Sequence, residues 1–428
     1  MSLPLWLRRP RQVYYGWWLL AGSIAAMALG SGVSFWAFGL YISPLEDEFG
    51  WSRGEVSGGL SVGVFSGGLA GPLVGRWIDM RGPREAILFG AVTTALSYGL
   101  LATTSELWQW YVYSAVNGVF RQMMFFIPFQ VLISRWFDRR RGIALSILGT
   151  GFALGGVVVV PVMRLVIDTL GWGPSFIVSG VVITLLYLPL GTLLVRNHPS
   201  DVGAQPDGAP APAGEPVDPS EAASRLSGLT LRAALATPHF WLVALGFTFL
   251  FYGMFGMLVH QIPLYVSLGV PRGTAALIVS AMAALGMGTR LAFGLIADRV
   301  RRFEHLVIAM CACLAGALVA LLLDSGAAGI AVFVVLWVCG TGGGPIIEAM
   351  LLTRMFGLAH FATLLGAMLV IEEFGLVVSP VVAGWIFDVT GSYDLALVMF
   401  VCSFGVAALL FAIVSRLPQL RFGPAEAR

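Results

Sequence analysis

Five charged side chains interrupt long apolar stretches of this sequence: Arg121, Arg290, Glu348, Glu372 and Glu373. A charge in such a setting is costly, and it is usually kept because the protein uses it. A guanidinium can hold a carboxylate through two parallel hydrogen bonds and stays charged at any relevant pH. A carboxyl group in an apolar setting can take up and release a proton. These residue types therefore indicate anion binding and proton transfer.

The two arginines are the candidates for binding a substrate. Asn117, Arg121 and Phe125 recur at intervals of four, which places them on one face of a continuous helix. If Arg121 and Arg290 share a cavity, the site suits a dicarboxylate, or a monocarboxylate together with an internal glutamate. The alternatives are structural. Arg121 could tie its helix to a neighbour with its long stem along apolar surface, and Arg290 could pair with Glu348 or Glu372.

The three glutamates are the candidates for carrying a proton. Glu372 and Glu373 are adjacent, and adjacent helical residues point about 100° apart, so they should not face a cavity equally. Glu348 follows a glycine-rich run, Gly340–Gly344, whose glycines we attribute to close helix packing and bending. The alternative for Glu372 and Glu373 is a static salt bridge to an arginine, and for Glu348 a structural contact.

Two further polar residues, Tyr252 and His260, fall in one apolar stretch and are candidates for lining the pocket. A buried histidine that is hydrogen-bonded to a neighbour is the alternative for His260. The sequence predicts no cofactor and no metal site, because the four cysteines lie in apolar runs without the spacing of zinc ligands. We also find no catalytic constellation, so we do not expect an enzyme.

The elements that position these residues must be membrane helices. Of the 428 residues, 58% are hydrophobic and only 11% are charged, which excludes an ordinary soluble domain and a disordered chain. A net charge of +2 gives no basic field for nucleic acid. A membrane span needs about 20 apolar residues. Twelve stretches meet this requirement, at about 15–41, 54–77, 86–104, 108–134, 143–168, 172–195, 239–266, 273–297, 305–323, 328–353, 361–387 and 393–416.

Arginine placement predicts the orientation of these spans. If both termini are cytoplasmic, the inner loops and tails hold 20 of the 25 basic residues, all of which are arginines. This asymmetry follows the positive-inside rule. A Pro-, Ala- and Gly-rich segment, 199–236, separates six spans from six, and it is expected to be a flexible cytoplasmic linker. The predicted domains are thus 1–198, 199–236 and 237–428.

The two halves repeat each other at a fixed offset of 219 residues. Gly75 and Asp79 recur as Gly294 and Asp298, and Arg135 recurs as Arg354. A duplicated six-helix unit with a substrate site between its copies is one of the known plans of transporters.

Several motifs resemble those of the major facilitator superfamily. Its signature loop between helices two and three is similar to Gly75-Arg-Trp-Ile-Asp79-Met-Arg-Gly82-Pro-Arg84, and 294–302 resembles a weaker second copy. Within the superfamily the chain resembles the monocarboxylate transporters and the bacterial oxalate/formate exchangers. The segments that carry this second resemblance are 15–18, 135–144, 199–208 and 237–241.

The resemblance implies an all-α membrane protein of twelve helices in two pseudo-symmetric six-helix bundles. It implies that Arg290 holds a substrate carboxylate, because Thr289-Arg290-Leu-Ala-Phe-Gly294 is similar to the corresponding monocarboxylate-transporter helix. Three positions differ from the related families. An apolar or aromatic residue near Phe38 replaces a lysine found in the first helix of animal monocarboxylate transporters. Gly286 stands where an aspartate is frequent, and Glu372 lies near the place of a second cation in the oxalate exchangers.

The resemblance also implies that residues at the cytoplasmic helix ends latch the two halves together. The candidates are Gly75, Asp79, Arg84, Asp298 and Arg299. Ordinary solvated loop charge is the alternative. The glycines would permit close approach and a turn.

We therefore predict a carrier of a small organic anion, most simply a monocarboxylate, that acts as a proton symporter in a bacterial cytoplasmic membrane. Its partners would be the substrate, protons and the lipid bilayer, with no nucleic acid, and a monomer would suffice. An anion exchanger, or a carrier of neutral or amphipathic compounds whose buried charges pair internally, is the alternative within transport. A transporter-like membrane sensor is the alternative from another class.

Overall fold

The structure is a computed structural model that describes residues 13–208, 228–418 and 420. Its described part contains twelve helices that are long and apolar enough to cross a membrane. We number them in chain order: α1 Tyr15–Phe49, α2 Arg53–Arg81, α3 Pro83–Ala102, α4 Leu107–Trp136, α5 Arg141–Leu170, α6 Trp172–Leu194, α7 Pro238–Ser267, α8 Arg272–Ala297, α9 Phe303–Leu323, α10 Ala327–Phe356, α11 Phe361–Thr390 and α12 Asp394–Val414.

The twelve helices form two six-helix bundles, as the sequence predicts. Within the first bundle α2 packs on α4, α3 on α6 and α1 on α5; within the second, α7 packs on α11 and α12, and α9 on α10 and α12. The most extensive contacts between the bundles are those of α2 with α11 and of α5 with α8, and smaller ones join α4 with α11 and α5 with α10. We call the membrane face that carries the α6–α7 connection the linker face.

Small residues allow α2 and α11 to approach closely. A Cβ atom at Gly71 would overlap the backbone of Gly366, and one at Gly75 would overlap the carbonyl oxygen of Ala362. Gly294 has the same role between α8 and α5, where a Cβ would overlap Ser146 and the carbonyl oxygen of Gly142. Such contacts are typical of membrane helices, where packing replaces the hydrophobic effect as the force between helices. They lie in the linker-face halves of all four helices.

Two of the helices are interrupted at equivalent positions. In α4 the helical segments are Leu107–Gln122 and Phe126–Trp136, and in α10 they are Ala327–Thr341 and Gly344–Phe356. The breaks begin at Met123 and Gly342, which are 219 residues apart and therefore obey the internal repeat. Interrupted helices at matching positions of two repeats mark the substrate region in several transporter folds.

The predicted linker 199–236 contains ordered elements where the structure describes it. Short helical turns occupy Pro199–Val202 and Pro206–Gly208, and a short helix occupies Leu231–Leu235. Gly228 forms a bridge with Gly357 in the α10–α11 loop. These flanks form hydrogen bonds with the bundles, so the described parts of the linker are attached to the protein surface. Residues 209–227 lie outside the described residues.

Candidate functional site

A cavity between the bundles is built around Arg290 of α8. Its volume is about 230 Å³, and its walls come from α1, α4 and α5 of one bundle and from α8 and α10 of the other. Apolar side chains dominate it, among them Leu145, Leu148 and Phe152. The Nη1 atom of Arg290 donates a hydrogen bond of 2.8 Å to the carbonyl oxygen of Gly149 in α5. We call this space the Arg290 cavity.

The half-buried guanidinium of Arg290 has no acidic partner in the part of the chain that the structure describes. The ion pairs within 4.0 Å among the described residues are four exposed or loop pairs, and none includes Arg290. The predicted alternative, a pair with Glu348 or Glu372, is therefore not formed in this structure. A cation held in an apolar cavity without a counter-charge is unfavourable unless an anion joins it.

Gln130 is a cavity residue that the sequence analysis missed. It lies on the second segment of α4, it is 5% exposed, and it lines the cavity together with Arg290. Its Oε1 atom is buried and finds no hydrogen-bond partner within the described part of the chain. A side-chain amide can donate or accept, so Gln130 can contact an anion held by Arg290. The sequence feature that could have identified Gln130 is its position as a single amide side chain in the apolar run Phe126-Ile-Pro-Phe-Gln130-Val-Leu.

Arg121 lies in a different place from Arg290. It lines a smaller cavity within the first bundle, of about 40 Å³, that shares no lining residue with the Arg290 cavity. Its guanidinium sits 4.5 Å from the ring centroid of Phe35, at the break in α1. Asn117 lines the same small cavity and donates a hydrogen bond of 2.9 Å to Ser97 Oγ. The prediction that both arginines could share one cavity is wrong for this structure.

The predicted face Asn117–Arg121–Phe125 is also interrupted. Because α4 breaks after Gln122, Phe125 precedes the second segment and is not on a continuous helix with Arg121. Phe125 is buried against Phe35 and Phe152, with ring centroids 5.8 and 6.3 Å away. It belongs to an aromatic layer that lies between the two cavities.

Glu373 of α11 approaches the first bundle at Gly68 of α2, where a Cβ atom would meet its side chain. Its charge interacts with that of Arg121 across the bundle interface, although no atoms pair within 4.0 Å. The Oε2 atom of Glu373 is buried, and no described residue donates a hydrogen bond to it. The predicted salt bridge to Arg121 is thus reduced to a longer-range attraction between the bundles.

Glu348 of α10 and Glu372 of α11 face each other. Their side chains are 2% and 1% exposed, and their carboxyl groups are close enough to interact electrostatically. One oxygen of each, Oε1, receives no hydrogen bond from the residues that the structure describes. Two carboxylates in such a contact repel strongly, whereas one proton held between them satisfies both. Glu348 follows the cavity-lining residues Pro345 and Ile346 on α10.

Tyr252 and His260 are not among the residues that line the Arg290 cavity. The hydroxyl of Tyr252 contacts the sulfur of Met399 in α12. Both ring nitrogens of His260 are engaged, with the Tyr393 hydroxyl at 3.1 Å and the Pro380 carbonyl oxygen at 2.9 Å. For His260 the structure favours the alternative of a histidine that is hydrogen-bonded within its own bundle.

At the linker face, two aspartates cap helices of the opposite bundle. Asp79, near the end of α2, accepts hydrogen bonds from the N–H groups of Ala362 (3.1 Å) and Thr363 (2.8 Å) at the start of α11. Asp298, just after α8, accepts from the N–H groups of Gly142 (2.6 Å) and Ile143 (3.1 Å) at the start of α5. Burial raises the pKa of Asp298, and these two N–H groups oppose the shift.

Arg84 and Arg299 do not bridge the bundles, which corrects their predicted part in the latch. Arg84 donates from Nε to Gly191 and from Nη2 to Thr192, so it ties α3 to α6 inside the first bundle. Arg299 donates to Leu295 in the preceding turn. Each arginine finds main-chain oxygens nearby, which leaves the aspartates to connect the bundles. Gly82 has a φ of 87° and turns the chain between α2 and α3.

The segment after α6 folds back over the linker face of the first bundle. The carboxylate of Asp207 accepts hydrogen bonds from the N–H groups of Asp138 (3.1 Å), Arg139 (2.7 Å) and Arg140 (3.3 Å), just before α5. Near this segment, burial and the guanidinium of Arg135 lower the pKa of His198 to about 4. The composition of the segment does not predict these contacts, because they are made with distant parts of the chain.

Comparison with known protein families identifies the family to which this chain belongs. The Major Facilitator Superfamily model matches residues 24–371. The chain belongs to the major facilitator superfamily. It is therefore an integral membrane protein of a transporter superfamily, which agrees with the twelve spans and the two bundles.

Several superfamily members of known name are similar to this chain. Human "Monocarboxylate transporter 11" is 29% identical over 67% of this chain and 57% of its own length. The "Oxalate:formate antiporter" of Oxalobacter formigenes is 22% identical over 68% of this chain and 66% of its own. The matched regions thus span less than two thirds of these relatives. They are the two branches that the sequence motifs resemble.

Solved superfamily structures share the fold. A structure of the proton:xylose symporter XylE superposes with a TM-score of 0.69 at 15% identity, covering 93% of this chain and 95% of that one. A structure of FucP in the outward conformation gives a TM-score of 0.67 at 14% identity, covering 95% and 99%. At these identities the likeness concerns the major facilitator fold alone.

Proposed function

We propose that this protein is a secondary active transporter of a small organic anion, most simply a monocarboxylate, coupled to proton movement. The main support for this proposal comes from Arg290. Its half-buried guanidinium lines a cavity between the bundles and has no carboxylate within 4.0 Å among the described residues. A substrate carboxylate would supply the missing charge and use the planar fork of the guanidinium.

The character of the cavity favours one carboxylate over two. A single cation, Arg290, faces largely apolar walls, and Gln130 adds one neutral polar group. Arg121 lies in a separate cavity, so a second carboxylate would find no second cation in the Arg290 cavity. A short apolar body would fit the remaining surface of α5 and α10. The names of the relatives, a monocarboxylate transporter and an oxalate:formate antiporter, support a carboxylate substrate.

The proposed coupling group is the pair Glu348–Glu372. In this structure α10 packs on α11 and the two buried carboxyl groups are close enough to interact, an arrangement that one shared proton would stabilise. Loss of that proton would leave two like charges in a dry interior, and their repulsion would favour separation of α10 from α11. Because Pro345 and Ile346 of α10 line the Arg290 cavity, such a movement would reach the substrate.

Alternating access would use the two seams between the bundles. We place the linker face and both termini in the cytoplasm, as the arginine distribution predicts. The α2–α11 and α5–α8 contacts then close the cavity to the cytoplasm, with Asp79 and Asp298 as the latch. The bundles, 1–198 and 237–428, would rock about the central cavity while 199–236 connects them. We propose this monomeric mechanism for a bacterial inner membrane.

The decisive test is uptake by purified protein in proteoliposomes. A panel of radiolabelled mono- and dicarboxylates and a neutral amphipathic compound should be offered with and without an imposed pH gradient. We expect accumulation of a monocarboxylate when the outside is acidic, and competition among monocarboxylates. Uptake of the neutral compound alone would refute the anion site, and uptake that ignores the pH gradient but requires internal anion would indicate exchange. No uptake of any compound would favour a sensor.

A further inference from the structure

A second cavity with a basic rim lies at the linker face of the second bundle and shares no lining residue with the Arg290 cavity. It has a volume of about 220 Å³ and is formed where α7 and α9 begin and α10 and α12 end. Three arginines line it, Arg301, Arg302 and Arg354, together with a single acid, Glu304. We call this space the basic cavity.

The arginines of the basic cavity are not neutralised by the chain where the structure describes it. None of them belongs to an ion pair within 4.0 Å, and Glu304 pairs with none of them. The contact recorded for the guanidinium of Arg354 is with the ring of Phe303, 5.4 Å from its centroid. Three positive charges against one negative charge leave an excess that attracts an anion.

A buried histidine lies in the same wall. His239 is 5% exposed, and its Nε2 atom is 3.0 Å from the carbonyl oxygen of Pro418, to which it can only donate. Its Nδ1 atom is buried and has no hydrogen-bond partner among the described residues. Nδ1 is therefore available to form a hydrogen bond with a ligand in the cavity.

The first bundle shows how the equivalent position is satisfied when the chain supplies its own anion. Arg135 corresponds to Arg354 at the repeat offset, and it is buried with Asp79 and Asp201 as its interacting charges. Asp201 comes from the turn that follows α6. After α12 the corresponding chain places Leu417, Pro418 and Leu420 in the basic cavity, and none of these carries a charge.

We infer that the basic cavity binds a phosphate-bearing anion, held by Arg301, Arg302 and Arg354 at the membrane surface. Guanidinium groups recognise phosphate oxygens through paired, charge-assisted hydrogen bonds. The apolar part of the wall, with Met355, Val414 and Leu420, would accommodate carbon atoms attached to the phosphate. The anionic headgroup of a phospholipid and a free phosphate ester share this chemistry. The site is independent of the transported substrate.

The test compares two phosphate sources on the purified full-length protein in a neutral detergent. The probes are short-chain phosphatidylglycerol, glycerol phosphate and inorganic phosphate, with short-chain phosphatidylcholine as the zwitterionic reference. Binding is measured by titration and by native mass spectrometry. The cavity variant is the double substitution Arg302→Gln and Arg354→Gln. The matched control is Arg139→Gln with Arg140→Gln, which removes the same charge from exposed positions on the same membrane face.

We expect the cavity variant to bind its anion about tenfold more weakly and the control variant to bind it like the parent protein. Glu304→Gln should bind more tightly, and this gain cannot result from misfolding. Binding of phosphatidylglycerol alone would assign the site to a lipid headgroup. Binding of glycerol phosphate or inorganic phosphate as well would assign it to a soluble anion.

Two outcomes would overturn the inference. If the cavity and control variants bind the anion equally weakly, general surface charge and not the basic cavity would account for the binding. Binding that appears only after residues 421–428 are removed would show that the chain provides its own anion, since this segment contains Glu426.

Discussion

Asp79 and Asp298 hold equivalent positions in the two bundles, and each caps the start of a helix that belongs to the opposite bundle. Asp79 binds the start of α11, and Asp298 binds the start of α5. A negative charge at a helix start meets unpaired N–H groups and the positive end of the helix dipole. The internal repeat thus places two related clasps on one membrane face, with the Arg290 cavity beyond them.

Removal of one clasp should open the linker face. In Asp79→Asn the side chain loses its charge, and we expect the closed state to lose about 1–2 kcal/mol, roughly a tenfold change in population. Spin labels at the linker-face ends of α2 and α11 would report a longer distance. Asp168→Asn, an exposed change in α5, is the control. An unchanged distance distribution in Asp79→Asn would remove this residue from the latch.

Substitution of the cavity arginine should abolish binding even when charge is kept. Arg290→Lys retains a cation but loses the planar fork, so we expect substrate affinity to fall at least about tenfold. Arg272→Lys, at the exposed far end of the same helix, should bind normally. Equilibrium binding and uptake of the preferred carboxylate provide the measurement. Parental affinity in Arg290→Lys would place the substrate elsewhere.

Gln130 offers a test of the residue that the sequence analysis missed. Gln130→Leu removes one hydrogen-bonding group from the cavity and should weaken binding about tenfold. Gln130→Glu should be more severe, because a carboxylate in the same cavity would compete with the substrate for Arg290. Gln122→Leu, on the same helix but outside the cavity lining, is the control. Equal affinities for Leu and Glu at position 130 would argue against contact with the anion.

Glu348→Gln and Glu372→Gln should separate transport from coupling. Glutamine resembles a protonated carboxyl group, so each variant should exchange substrate for substrate yet lose accumulation driven by a pH gradient. Both activities should be measured in the same proteoliposomes, with exposed Glu85→Gln as the control. If pH-driven accumulation is intact in both variants, the coupled proton is carried by Glu373 or by the substrate itself.

The lowered pKa of His198 predicts how acid affects the stability of the protein at the segment after α6. Its pKa in the folded protein is about 4, below the ordinary value of 6.5, so the unfolded protein binds the additional proton between these values. Stability is therefore lost as the pH falls from 6.5 towards 4. The loss should be about 2 kcal/mol, since the ring is partly solvated.

The measurement for His198 is the melting temperature of detergent-solubilised protein as a function of pH. His198→Asn keeps a side-chain acceptor for the turn but cannot titrate, so its advantage over the parent should grow as the solution is acidified. His305→Asn, at an exposed histidine, should follow the parent. Parallel curves for the parent and His198→Asn would contradict a buried, neutral His198.

Much of the architecture was predictable because membrane helices are specified locally. Each span needs only a long apolar run, and the solvent outside it is lipid, so α1–α12 could be located from composition and loop arginines. The repeat offset of 219 residues between Asp79 and Asp298 predicted two related bundles. The charges in Arg290, Glu348 and Glu372 could be recognised as unusual from the sequence alone.

The tertiary structure determines which of these charged side chains lie close to each other. The break after Gln122 turns Phe125 away from the face of Arg121, and the aromatic layer then lies between Arg121 and Arg290. Glu348 reaches Glu372 because α10 packs on α11, although 24 residues separate them in the chain. Sequence spacing describes directions around one helix axis. It does not contain the relative rotation of two helices, and that rotation determines which buried charges become partners.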